Sequence, residues 1–275
     1  MSRALDALTS STLKHLREEW WNDAFSEFLE ETLRPKPGKR ILDVGCGTGT
    51  AEGALARLRL SQVRLYGVDL VLERVREAAA AAKGMNARVG YAAADACRLP
   101  FVDGAFDSTF CVAVLQHIRD VPEALAEFVR VTRPGGRILA VEPDNSARYW
   151  FSSAPSGMAA FESGRRFFAS LGDSSGTPIG PSLPGLFADQ GLDLQAVDLF
   201  PVSVSRLGPP PKAVWDARRS AIRAALEKAP APSRPLGQDY LAALERYAAD
   251  AAAAGASFVE IQNTMLFATV AQKSE

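Results

Sequence analysis

Two histidines and three cysteines are all that the chain carries of the residue types that most often bind metals or move protons near neutral pH. Cys46, Cys97 and Cys111 lie far apart with no CxxC spacing, which excludes the common zinc frameworks and fits a reducing compartment. Charge of one sign is lacking too. Lys and Arg number 31 against 32 Asp and Glu, for a net charge of -1. Such a balance does not give the positive field that a phosphate backbone selects for, so nucleic acid is not an expected partner. No run of about 18 apolar residues occurs, so no membrane span is expected. The N-terminal MSRALDALTSSTLKHLREEWW lacks the unbroken apolar stretch of a signal peptide, and a cytoplasmic location follows as an expectation. Internal repeats are absent as well.

What is present is ordinary for a globular chain: 47% hydrophobic and 23% charged residues over 275 positions. That length suffices for one large α/β domain with a cap. Leu13, Leu16, Trp20, Phe28 and Leu29 recur at helical spacing until Pro35 and Pro37 stop the pattern. KRILDVGCGTGT then reads as a strand running into a glycine turn, with a helix beginning around Leu55 and Leu58. VRLYGVDL is a second strand, followed by an Ala-rich helix for which Gly84 is a natural left-handed terminator. ARVGYAAAD and FDSTFCVAVLQH read as the third and fourth strands, the latter buried on both faces. Asp120 and Glu123 have the spacing of a capping box, and GRILAVEP makes a fifth strand.

After Asp144 this regularity is lost. Residues 145–180 mix aromatics with Gly, Ser and Pro; LPGLFADQG reads as a short helix and LDLQAVDLFPVSVS as a sixth strand. Residues 207–256 look like an inserted helical pair. FVEIQNTMLFATVAQK closes the chain as an antiparallel partner of the sixth strand. Strands alternating with helices in this way predict an α/β fold: a doubly wound, Rossmann-like, seven-stranded sheet, mostly parallel with an antiparallel last strand and helical cap insertions. Such sheets place ligands at the carboxyl ends of the strands, near the point where strand order reverses.

The chemistry-bearing residues fall at those ends. In Asp43-Val44-Gly45-Cys46-Gly47-Thr48-Gly49 the glycines permit a tight turn and a close approach to a ligand. The following helix points free N–H groups toward it. The dinucleotide pattern GxGxxG would require glycine where Thr50 stands, and the Asp43 carboxylate would repel a pyrophosphate but attract an ammonium group. Asp69, ending the second strand, suits a ribose diol. Asp95, closing the third, suits an adenine amino group. The three together outline a nucleoside beside an amino acid, with no phosphate site.

With ILDVGCGTG, GVDL, AADACRLPFVDGAFD, CVAVLQHIRD and RVTRPGGRILAVEP in this order, the sequence resembles the class I S-adenosylmethionine-dependent methyltransferases, in particular the group with ubiquinone/menaquinone-type and natural-product enzymes. The resemblance is strong over residues 38–144 and weak at the last strand. It implies a cytoplasmic transferase that moves methyl from S-adenosylmethionine to an O, C or N atom of a small molecule, leaving S-adenosylhomocysteine. It further implies that Asp43, Gly45, Cys46 and Gly47 hold the methionine end. Asp69 would take the ribose, Leu70 flank the adenine, Asp95 and Ala96 read its edge, and Cys111 and Gln116 lie along the cofactor after the fourth strand. Residues 1–37 would form a helical lid, and residues 38–275 the catalytic domain with cap insertions at about 145–180 and 207–256. The insertions would roof an apolar acceptor pocket.

Methyl transfer needs a base only where the nucleophile holds a proton at neutral pH. His117, following the fourth strand, is the candidate, and Glu142, ending the fifth, could orient or replace it. Asp144-Asn145 resembles the metal-binding pair of catechol-type O-methyltransferases, but Gln116 stands where the partner acid would be, so no metal is expected. His15 reads as a solvated helix residue. Oligomeric state is not legible. Two other functions compete: an NAD-type oxidoreductase, disfavoured by Thr50 and Asp43, and a catalytically silent module that binds S-adenosylmethionine and a partner protein.

Overall fold

A computed structural model describes residues 20–57, 63–85, 88–171 and 179–275. Leu13, His15, Leu16 and Leu58 lie outside the described residues. The helices are α1 (Asp23–Leu33), α2 (Thr50–Arg57), α3 (Leu72–Ala82), α4 (Val121–Val131), α5 (Gly157–Ser170), α6 (Ile179–Asp189), α7 (Lys212–Lys228) and α8 (Arg234–Ala254). The strands are β1 (Arg40–Val44), β2 (Arg64–Asp69), β3 (Arg88–Ala93), β4 (Phe106–Val112), β5 (Thr132–Ser152), β6 (Asp193–Leu207) and β7 (Val259–Gln272). They form one seven-stranded sheet in the order β3-β2-β1-β4-β5-β7-β6.

The pairs β1–β2, β1–β4, β2–β3 and β4–β5 are parallel. The Gly135 N–H donates to the carbonyl of Lys273 and the Ser153 N–H to that of Val259, so β7 runs against β5. The Gly208 N–H donates to Phe258 in the same sense, which makes β7 antiparallel to β6 as well. The predicted α/β class and mostly parallel seven-stranded sheet are therefore borne out, and the strand order reverses between β1 and β4.

The chain separates into two compact units, residues 17–144 with 179–200 and 266–275 forming one, and residues 145–178 and 201–265 belonging to the other. The first unit is built on β1, β2 and β4. Leu42, Val44, Val68, Cys111, Leu115, Leu125, Phe128, Ile138 and Phe187 make its continuous apolar core. α4 presents Ala124, Leu125, Phe128 and Val131 to that core, and its N-cap Asp120 accepts from the Glu123 N–H at 3.0 Å, as the capping spacing predicts. The second unit has an aromatic core of its own. Trp150 stacks on Phe161 with centroids 5.2 Å apart, and Tyr247 takes the edges of Trp150 and Trp215. Gly164 on α5 lies against Tyr240 of α8, and Gly237 on α8 against Phe167 and Leu226, where any side chain would collide.

Four local expectations are corrected. The first helix is not continuous through the tryptophans: Asn22 is extended at φ -84°, and its side chain accepts from the Phe25 N–H to begin α1. Gly84 does not take a left-handed φ, and α3 ends instead in a loose turn with Lys83 donating to the carbonyls of Ala80 and Ala81. The fourth strand stops at Val112, and Leu115–His117 forms a 3-10 turn. The fifth strand continues to Ser152, beyond the point where periodicity is lost.

Candidate active site

The carboxyl ends of β1, β2 and β4 converge on the glycine turn. Gly45, Gly47 and Gly49 take φ values of 79°, 55° and 83°, which only glycine adopts freely. The N–H groups of Gly45 and Cys46 both donate to the Val68 carbonyl, at 2.7 and 2.9 Å, fastening the turn to the end of β2. A Cβ on Gly45 would collide with the side chain of Val114, so the turn also packs on the loop after β4. On Gly47 a Cβ would meet nothing within 4 Å, which leaves its backbone open to a ligand.

Asp69 is 8% exposed. One carboxylate oxygen accepts from the Gly47 N–H at 3.0 Å and the other from the Val71 N–H at 2.8 Å. The residue expected to take a ribose therefore also shapes the turn. Leu70 beside it is 46% exposed. Asp95 is exposed and folds back on the N–H of Cys97, with Ala96 half-buried next to it. Leu70, Asp95 and Ala96 thus stand at the ends of neighbouring strands as an open rim, suited to one edge of a flat heterocycle.

Asp43 is buried at the end of β1. Burial pushes its carboxyl well above the usual carboxylate range, and the charges of Glu52 and Asp69 add to the shift. Cys46 and Cys111 are likewise buried, and both thiols are pushed up by burial first and neighbouring carboxylates second, so neither is a nucleophile at neutral pH. Cys111 contributes backbone instead, in register with Ala140 of β5.

The loop after β4 is strained and braced. Ala113 has φ 56°, unusual for a residue with a Cβ, and its N–H donates to the Val141 carbonyl at 2.7 Å. Glu142 is fully buried, and its carboxylate accepts from the N–H groups of Val114 and Leu115 at 2.7 Å each and Gln116 at 3.4 Å. A carboxylate committed to three backbone donors is a strut, which makes Glu142 a positioning residue for the turn that carries Gln116 and His117. His117 ends that turn half-buried, its N–H on the Val114 carbonyl. The side chain of Asn145 lies outside the described residues, and among those described no group of three His, Cys, Asp or Glu gathers as a metal site.

Two residues in this site were not singled out from the sequence: Glu52, in the first turn of α2, and Tyr91, in β3. Asp43, Gly67 and Tyr91 stand in register across β1, β2 and β3. Because Gly67 has no side chain, a notch opens between Asp43 and Tyr91, and the Glu52 carboxylate occupies it; a Cβ on Gly67 would collide with Glu52 Oε1. Glu52 is 1% exposed. Neither of its oxygens, nor the Tyr91 hydroxyl, has a hydrogen-bond partner among the described residues. Burial pushes the Glu52 carboxyl up to about 8.

Comparison with known proteins places this geometry. Residues 42–140 match the methyltransferase domain family. The chain is 37% identical over 127 residues to the ubiquinone/menaquinone biosynthesis C-methyltransferase UbiE of Teredinibacter turnerae, covering 44% of this chain and 51% of that protein. It is 31% identical over 149 residues to the O-methyltransferase cnsE of Penicillium expansum, covering 50% of this chain and 54% of that protein. The chain thus spans about half the length of these curated relatives. Among solved structures, the [4+2]-cyclase SpnF shares the fold with a TM-score of 0.53 at 22% identity, over 92% of this chain and 80% of that one. Residues 42–140 thus carry a methyltransferase domain, and the glycine turn and the strand order of the sheet agree with that match.

Proposed function

We propose that this chain binds S-adenosylmethionine at the glycine turn and transfers its methyl group to an O, C or N atom of a small-molecule acceptor. The observation that carries the reading is the set of acids around the turn. Asp43, Glu52 and Asp69 are three buried acids beside one open glycine backbone, and none of them is paired with a cation among the described residues. A pyrophosphate would meet only acids and no cation among the described residues, which disfavours the NAD-type alternative, whereas an ammonium or a sulfonium would draw these acids toward their anionic forms and be held by them. The residues fit the cofactor: Gly47 offers unobstructed backbone, Asp69 has lone pairs left beyond its two backbone bonds, and Leu70, Asp95 and Ala96 form a rim for the adenine.

S-adenosylmethionine supplies a methyl group already activated by positive sulfur. The protein's part is to align the acceptor and exclude water. Glu142 fixes the turn after β4, and His117 at its end takes the proton of a hydroxyl acceptor. The relatives include a C-methyltransferase and an O-methyltransferase, and SpnF shows the same fold under a cyclase, so the atom methylated is read from the acceptor and not from the fold.

Ligand-dependent melting tests the cofactor reading. S-adenosylmethionine and S-adenosylhomocysteine raise the melting temperature and NAD does not, since a ligand that binds only the native state stabilises it by mass action. Stabilisation by NAD alone would overturn it. With an acceptor in hand, His117→Ala lowers the single-turnover rate by ~10²–10⁴-fold and removes the acid limb of the wild-type pH profile, at unchanged cofactor affinity. A loss under ~10-fold with the limb intact would remove His117 from proton transfer.

A further inference from the structure

Glu52 has an odd place for a first-turn acid. At a helix N-terminus a carboxylate ordinarily faces water and interacts with the helix dipole. Here it turns inward and fills the Gly67 notch, 1% exposed, with neither oxygen hydrogen-bonded among the described residues. Among the described residues, the titratable groups that feel its charge are Asp43 from β1, Cys46 from the turn and Tyr91 from β3, with Asp69 next to Asp43 and Cys46. All are acids or weak acids. An isolated carboxylate in such surroundings holds its proton, because the ion would be both desolvated and repelled. A cation seated against the glycine turn reverses that balance.

Resting on the cofactor reading above, we propose that Glu52 senses the charge of the nucleoside at the glycine turn, releasing its proton to solvent when the sulfonium form binds and taking one back once the sulfur has become a neutral thioether. The balance is simple. Before transfer, the carboxylic acid becomes carboxylate plus one solvent proton, and the carboxylate would be compensated through space by the positive charge bound at the turn. After transfer the positive charge has gone with the methyl group, so the carboxylate is again uncompensated and recovers a proton. Glu52 is thereby a positioning residue that favours substrate cofactor over product by charge, without touching the reacting atoms. The α-ammonium and carboxylate are common to both nucleosides, so the difference between them isolates the sulfur.

Isothermal titration calorimetry of the full chain in buffers of different ionisation enthalpy, at pH 7.5, counts protons directly. S-adenosylmethionine releases a fraction of a proton more than S-adenosylhomocysteine does, and the ratio of their affinities rises several-fold between pH 6 and pH 8.5. In Glu52→Gln both differences vanish while both nucleosides still bind. Carbon-13 NMR of glutamate carboxyls in the wild type supplies a second readout, independent of how the variant folds. One resonance titrates above pH 7 in the free protein, and its midpoint falls with S-adenosylmethionine but not with S-adenosylhomocysteine. Equal proton release by the two nucleosides, or a difference that survives in Glu52→Gln, overturns the proposal and leaves the cofactor reading standing. Binding of neither nucleoside overturns both.

Discussion

Glu52 and Glu260 are both glutamates almost wholly removed from water, at 1% and 0% exposure, one in each compact unit, and their surroundings are opposite. Glu260 on β7 receives both Arg218 nitrogens at 2.7 and 3.1 Å, Arg206 at 3.1 Å, the Tyr247 hydroxyl at 2.6 Å and the Gln262 amide at 2.8 Å. Burial alone would raise its carboxyl, but these donors hold it below the usual range. Glu52 has no side-chain donor among the described residues, and burial pushes it up to about 8. The same side chain at the same depth is thus an anion at neutral pH in one unit and a proton-holding acid in the other. Burial sets what is at stake, and the partners decide the charge. A fully satisfied carboxylate is architecture. An unsatisfied one beside an open glycine turn is poised for something else to arrive.

The largest effect is expected where the charge is compensated. Glu260→Ala leaves Arg206 and Arg218 facing each other without their anion, and unfolding in urea should show a loss of ~3–5 kcal/mol. A loss near zero would mean that solvent reaches the cluster and that the contrast with Glu52 is one of exposure. Glu52 should act through pH. Its folded value of about 8 lies above the ordinary 4.5, so the native state keeps a proton that the unfolded chain gives up. Cofactor-free protein should therefore lose stability as pH rises from about 4.5 to about 8, by on the order of a few kcal/mol, with Asp43 adding in the same direction. Glu52→Gln should flatten most of that slope. Chemical denaturation at pH 5, 6.5 and 8 checks this, and parallel slopes in variant and wild type would show Glu52 to be ionised throughout. Glu260 has the opposite sign: its contribution is present at neutral pH and fades only in acid. The smallest effect belongs to the acid between these extremes. Asp69→Ala removes the charged acceptor of the Gly47 and Val71 N–H groups, and should weaken S-adenosylmethionine binding by ~1.5–3 kcal/mol. Unchanged affinity in calorimetry would take Asp69 out of the cofactor site.

Several features were legible because they are local. Glycines in ILDVGCGTG needing left-handed φ, the Asp120 cap three residues before its amide, and apolar runs of strand length each carry their cause within a few positions. The misreadings have causes farther off. FDSTFCVAVLQH is apolar throughout and reads as one strand, yet it breaks at Ala113 because the Glu142 carboxylate, on the next strand, gathers the N–H groups of 114 to 116 into a turn. The aromatic stretch after Asp144 shows no period, but it continues β5 because β7 lies antiparallel along it and supplies backbone partners as far as Ser153.

The sequence by itself determined the alternation of strands and helices, the glycine turn and the acids at the ends of β1, β2 and β3, since these follow from residue type and short-range spacing. Only the tertiary structure decided which acids are buried and which are satisfied. Glu52 reads as an ordinary first-turn acid until Gly67, on a neighbouring strand, opens a notch beneath it; Glu142 reads as a possible base until its oxygens are counted against three amides. A carboxylate's charge depends on the donors and water that packing places around it, and that environment is assembled from residues far apart in the chain.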